Sequence, residues 1–235
     1  MLIVSAVRPA RRDQAGGDGA GFRRNTRGVA AVEFAFVAPF LIICLLAGFE
    51  IAKYITTIRH IGSLASSIAQ QIAQNTSGTI QSSDVTFLND STMVLFPGIL
   101  KDAAQKGINW QNDIQVTMSG INFTTVPTGC KSSCTYVPAV AWSAGTRGAP
   151  SWRSCLIPQL QAPNTAPPSL LTLPVDTYSP GFLVVVDVLY RYTPFVATQL
   201  FNPWTIRRTF YVQPRFVTMI KFPGIQSTGM ACPGY

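Results

Sequence analysis

The chain has 235 residues, 47% of them hydrophobic and only 12% charged, with 18 Lys and Arg against 10 Asp and Glu for a formal net charge of +8. That length holds one or two domains with a packed core, and so little charge excludes a disordered, solvating chain. One His and two Glu leave most acid–base and metal chemistry without an inventory.

Six arginines (Arg8, Arg11, Arg12, Arg23, Arg24, Arg27) against Asp13 and Asp18 make the first 28 residues a basic flank. The glycines between Gly16 and Gly21 follow no strand pattern, so they read as a flexible leader and not as a phosphate-binding loop. Residues 29–49, VAAVEFAFVAPFLIICLLAGF, contain one charged side chain, Glu33, and are about as long as the roughly 20 residues a bilayer span needs. A basic flank ahead of a span predicts a cytoplasmic N-terminus and an exported C-terminal region. A cleaved secretory signal fits less well: its apolar core runs about 7–15 residues before a small-x-small site. Here the run is longer, and Leu46-Ala47-Gly48-Phe49-Glu50 leads on into helical pattern.

After Gly48, apolar residues recur at Ile51, Ile55, Ile58, Ile61, Ala65, Ile68 and Ile72, a spacing near 3.5 that predicts one stripe along a continuing helix. Asn75-Thr76-Ser77-Gly78 supplies turn chemistry to end it. The whole helix would be a rod of about 70 Å. Its emerged half needs a covering surface, either its own domain or neighbouring copies. An ionised Glu33 inside hydrocarbon costs at least about 2.5–3.5 kcal/mol, so it calls for a partner unless it snorkels to the headgroups. Pro39 removes a backbone hydrogen bond and is a candidate kink. Cys44 reads as an inert thiol facing lipid or another helix.

The string Arg27-Gly28-Val29-Ala30-Ala31-Val32-Glu33-Phe34, continued by Val37-Ala38-Pro39-Phe40-Leu41, resembles the type IV pilin-like class. Within that class it is most similar to the TadE-like minor pilins (pseudopilins) of tight-adherence (Flp) pilus systems. The likeness is strongest over residues 24–60, weaker over 181–222, and absent over 80–180. The resemblance implies cleavage between Gly28 and Val29 by a prepilin peptidase, with Glu33 as the fifth mature residue and Phe34 as the sixth. It also implies partners in the inner membrane, among other pilins and among pilus assembly proteins. On physical grounds, Glu33 can then neutralise the new α-ammonium of an adjacent subunit and act as a register mark.

Beyond the helix, Ser82-Ser83-Asp84 and Asp90-Ser91 are N-cap candidates ahead of Met93–Leu95 and Ile99–Ala104, helical segments interrupted near Pro97-Gly98. Strands are predicted at Ile114–Met118, Thr135–Trp142, Phe182–Tyr192, Ile206–Val212 and Phe216–Phe222. Seven prolines between Ser143 and Pro180 predict a surface excursion of loop or polyproline character, not core. The exported cysteines Cys130, Cys134, Cys155 and Cys232 allow three disulfide pairings. In one of them Cys130 and Cys134 close a tight loop while Cys155 and Cys232 pin the tail. Four thiolates without C-x2-C pairs make a zinc site the weaker reading.

The expected architecture is α+β. A leader (1–28), a transmembrane helix (29–50) and an amphipathic extension (51–75) precede a periplasmic domain (76–235) with an antiparallel sheet and a Pro-rich loop. His60, the sole imidazole, follows the span closely on a helix and reads as an interfacial polar residue, so no Ser–His–Asp relay is expected beyond it, nor a cofactor or a small-molecule substrate. Arg207-Arg208 is the only adjacent basic pair beyond residue 60, and its interleaved aromatics read as an alternating strand and not as a nucleic-acid surface. An unprocessed single-pass envelope protein with a ligand- or protein-binding domain is the competing reading.

Overall fold

The computed structural model describes residues 26–130, 132, 134–146, 152–155, 157–194 and 202–235. The leader through residue 25, with five of its arginines and its glycine stretch, lies outside the described residues, as does Pro150. The chain divides into two compact units, Met1–Phe49 and Glu50–Tyr235.

Helix α1 (Thr26–Ala73) continues through Pro39. In the first unit its surface is apolar and uncovered, with Val32, Phe34, Phe36, Phe40 and Leu45 all exposed. In the second unit the predicted stripe is covered from Ile61 onward: Ile61, Ala65, Ile68 and Ile72 are buried, and Leu64 and Ala69 widen the buried face. Ile51 and Ile55 stay exposed. The helix ends where its turn chemistry begins. Asn75 Oδ1 accepts from the Gly78 amide at 2.8 Å, Asn75 Nδ2 donates to the Thr79 carbonyl at 3.0 Å, and Gly78 takes φ +71°.

The helical segments that follow are α2 (Ser82–Leu95), α3 (Gly98–Lys106) and a single turn, α4 (Trp110–Asp113). The α2 N-cap is Gln81, whose amide donates to Asp84 at 2.8 Å, so Asp84 serves from the third helical position. Asp90-Ser91 starts no helix; it lies inside α2, where the Ser91 hydroxyl donates back to the Leu88 carbonyl.

Strands β1 (Ile114–Val126), β2 (Thr135–Gly145), β5 (Gly181–Tyr192) and β6 (Trp204–Val212) form an antiparallel sheet with the short C-terminal hairpin β7 (Ile225–Gln226) and β8 (Gly229–Ala231). The strand order is β6-β5-β1-β2-β8-β7. One face packs on α1, α2 and α3 through Val116, Met118, Val184, Val186 and Val188. A bulge in β2 at Ala141, where Gly120 faces Trp142 and Ile121 faces Val140, resets the register against β1. A Cβ on Gly120 would sit 2.2 Å from the Trp142 indole nitrogen, so only glycine lets that ring lie across β1 and donate to the Ile220 carbonyl.

Two expectations are corrected. Phe216–Phe222 is not a strand. Pro214 and Pro223 bound it, and its backbone bonds go to the end of α1: the Arg215 amide donates to Ala73, Lys221 to Gly78, and Ile80 to Lys221. Ile220 and Phe222 still reach the core from this irregular path. The Pro-rich excursion is not merely surface. Its two short parallel strands, β3 (Leu160–Ala162) and β4 (Thr172–Pro174), form a separate small sheet. Leu173 then joins Ile121, Phe123, Leu183 and Val185 in a second apolar cluster on the other face of the main sheet. β5 is therefore covered on both faces, which is why it reads as a nearly unbroken apolar run instead of an alternation.

Candidate functional site

The residues singled out in α1 begin in its first turn. Gly28 and Val29 are helical there, a place where backbone amides have no intrahelical acceptor. Glu33 lies one turn further on, exposed, between the exposed side chains of Val32 and Phe34, and it makes no hydrogen bond or ion pair with another described side chain. Nothing in the second unit's core includes these residues. Ala30–Ala73 is, among the described residues, the one helix long and apolar enough to cross a membrane, with a mean hydropathy of 2.4 in its most apolar window.

In the second unit the cysteines pair as Cys130–Cys134, with an S–S distance of 2.09 Å, and Cys155–Cys232, at 2.01 Å. The first clasps the turn between β1 and β2. The second ties the Pro-rich segment to the tail just after β8. Cys44 is free and exposed. His60 is exposed and stacks on Phe96, with ring centroids 5.7 Å apart.

Two polar clusters were not anticipated. Arg153, in the Pro-rich segment, is fully buried and forks onto Asp187 of β5, Nε to Oδ2 at 2.9 Å and Nη2 to Oδ1 at 3.1 Å. Its remaining N–H groups donate to Gln159 Oε1 at 2.5 Å and to the carbonyls of Ser169 and Thr172. Thr209 of β6 donates to the same carboxylate at 2.5 Å. These contacts fasten the Pro-rich cover to the sheet. A signal for it existed. Asp187 is a lone carboxylate inside FLVVVDVLY, and a charge in a doubly covered strand demands a cation.

The other cluster gathers on Lys106. Its ammonium lies 2.6 Å from Asp102, 2.7 Å from Asp113 and 2.7 Å from the Arg191 carbonyl. Burial pushes the Asp113 carboxyl up, only partly offset by Lys106. Burial also acts on Asp102, but hydrogen bonds from Lys106 and Tyr190 outweigh it and hold that carboxyl below its usual range. The Tyr190 hydroxyl donates to Asp102 and the Tyr192 hydroxyl to Glu50, the latter at 2.5 Å. Burial first, and these carboxylates second, push both phenols well above their ordinary range. A lysine fixed by three acceptors is no nucleophile. Among the described residues no group of three His, Cys, Asp or Glu is placed to hold a metal ion.

These features define an α+β protein with one candidate membrane helix among the described residues, in which the buried Arg153–Asp187 pair ties the Pro-rich segment to the sheet. Residues 28–75, most of α1, match the family model of TadE-like proteins. TadE-like pilus components are structural. No curated protein and no solved structure matches the chain.

Proposed function

We propose that the chain is a TadE-like pseudopilin: a single-span, non-enzymatic component of pilus assembly, processed after Gly28 by a prepilin peptidase. In this reading α1 anchors it in the inner membrane with residues 1–28 cytoplasmic, and the disulfide-bonded second unit is periplasmic. The observation that carries the reading is Glu33, a lone carboxylate one turn past Gly28 in an uncovered apolar helix that matches the TadE-like family. Cleavage creates an ammonium at Val29, and Glu33 of a neighbouring subunit compensates it. Sliding out of register would break that buried pair at about 3–5 kcal/mol. Phe34 packs at the same seam, and Pro39 loosens the helix beyond it. The Gly28–Val29 bond lies in the first helical turn, where few backbone bonds must open for a peptidase to reach it.

Mass spectrometry of protein extracted from membranes should find Val29 as the N-terminus, and a bulky residue at Gly28 should leave the leader attached. An intact leader in the wild-type chain would turn the protein into an unprocessed tethered domain. Glu33→Ala should spare insertion and cleavage while impairing co-assembly with other pilins; normal piliation would show that Glu33 only snorkels.

A further inference from the structure

β6 is the terminal strand of the six-stranded sheet, so along one side its backbone has no strand neighbour among the described residues. In an antiparallel edge strand, every second residue points both its N–H and its C=O outward, which makes a template for another strand. Here that edge is the floor of a groove of about 530 Å³. One wall is α1, at Tyr54 and Ile58; the other is the loop between β3 and β4. That loop presents Pro163, Pro167 and Pro168, which carry no N–H, beside Asn164, Thr165 and Ala166.

The groove is also charged. Arg207 and Arg208 both line it, and among the described residues no carboxylate does. As consecutive strand residues they point to opposite faces. Ile206 and Phe210 belong to the helix-side cluster, which sets Arg208 on that face, whereas Thr209 reaches Asp187 from the face that bears Arg207. An added strand would thus run between two guanidinium groups, one above and one below. A second copy of β6 is a poor occupant, because antiparallel self-pairing about the middle of Trp204–Val212 sets Arg208 opposite Arg208, and like charges directly across a ladder repel.

We propose that β6 is a strand-accepting edge that takes an extended segment of a partner protein carrying acidic side chains at adjacent positions, one for each arginine. Backbone bonds to β6 supply affinity, and the two arginines select the partner. This does not rest on how α1 is processed or on what its residues 29–49 pack against, so it survives or fails separately from the pseudopilin reading.

The test uses the full chain in detergent and a fluorescent ten-residue Thr/Val peptide with two adjacent central glutamates. The peptide should bind and slow amide hydrogen exchange across Trp204–Val212, and the same peptide with lysines should not. Arg207→Glu with Arg208→Glu should weaken the glutamate peptide by at least about tenfold and admit the lysine peptide, a reversal that also shows the variant folded. N-methylation of alternate peptide amides should abolish binding while leaving its charge intact. Equal binding of both peptides, binding that survives N-methylation, or peptide protection that falls elsewhere would each overturn the proposal. Protection of β6 that grows with protein concentration alone would overturn it in favour of self-pairing.

Discussion

Along α1, residues 30–49 and residues 57–73 are both rich in aliphatic side chains, yet Phe36 and Leu45 are largely exposed whereas Ile61, Ile68 and Ile72 are buried among the strands. The difference follows from how the apolar residues are arranged and not from how many there are. Apart from Glu33 the first stretch is apolar on every side, so no single face of a small domain could cover it. The second alternates its stripe with Ser63, Ser66, Ser67 and Gln70, which leaves one face to pack and another to hydrate. Uniform hydrophobicity asks for a surrounding medium; a stripe asks for a surface.

The sharpest way to break this contrast is one charge placed in each stretch. Ile68→Asp buries an unpaired carboxylate in the main core and should cost more than about 4 kcal/mol, enough to unfold most single domains of ordinary stability. Ile42→Asp should leave the second unit's urea midpoint unchanged while reducing the membrane-bound fraction. All four tryptophans (Trp110, Trp142, Trp152 and Trp204) lie in the second unit, so their fluorescence reports on it alone. A tolerated Ile68→Asp would mean that the stripe does not hold the domain.

A smaller effect is expected where the Pro-rich cover meets the sheet. Arg153→Met leaves Asp187 buried without its cation and should destabilise by about 3–5 kcal/mol, and joint replacement of Arg153 and Asp187 by apolar residues should recover most of that loss. Urea unfolding of both variants checks it. If the single change costs no more than an exposed pair, at most about 1 kcal/mol, the cover is fastened by other contacts.

The same two segments show what the sequence could and could not disclose. The long helix, its end at Asn75, and strands β5 and β6 were readable because periodicity and turn residues are local signals. β1 was read too short, since its second half pairs with β2 beyond the Ala141 bulge, a feature that depends on which residue of another strand lies opposite. Phe216–Phe222 alternates like a strand, but pairing depends on which backbone lies alongside, and that turned out to be the turn after α1. Arg153 went unnoticed because prolines around it suggested only a loop. The reasoning applied to Glu33, that a charge in an apolar run requires a partner, applies equally to Asp187 and points to a buried cation somewhere in the chain. The distinction is that Asp187 finds its partner within the chain, while Glu33 finds none among the described side chains.

The finest test concerns the phenols that link β5 to the helices. Tyr190 and Tyr192 donate to Asp102 and Glu50, and both are held protonated well above their ordinary range. In the unfolded chain these phenols ionise near pH 10, while in the folded domain they do not. A proton bound more tightly in the folded state gives stability that is complete below about pH 10 and is lost as pH climbs toward the folded value. The expected slope is up to about 1.4 kcal/mol per pH unit for each retained proton. Other groups of the domain also contribute to the wild-type slope, so that slope alone does not isolate the phenols. Replacing both tyrosines by phenylalanine does. The double variant should be less stable at pH 7, because two carboxylates lose their donors, yet its urea midpoint should fall less steeply between pH 9 and 11. A slope as steep as wild type would assign the alkaline loss to other groups and would leave the phenols as packing side chains only.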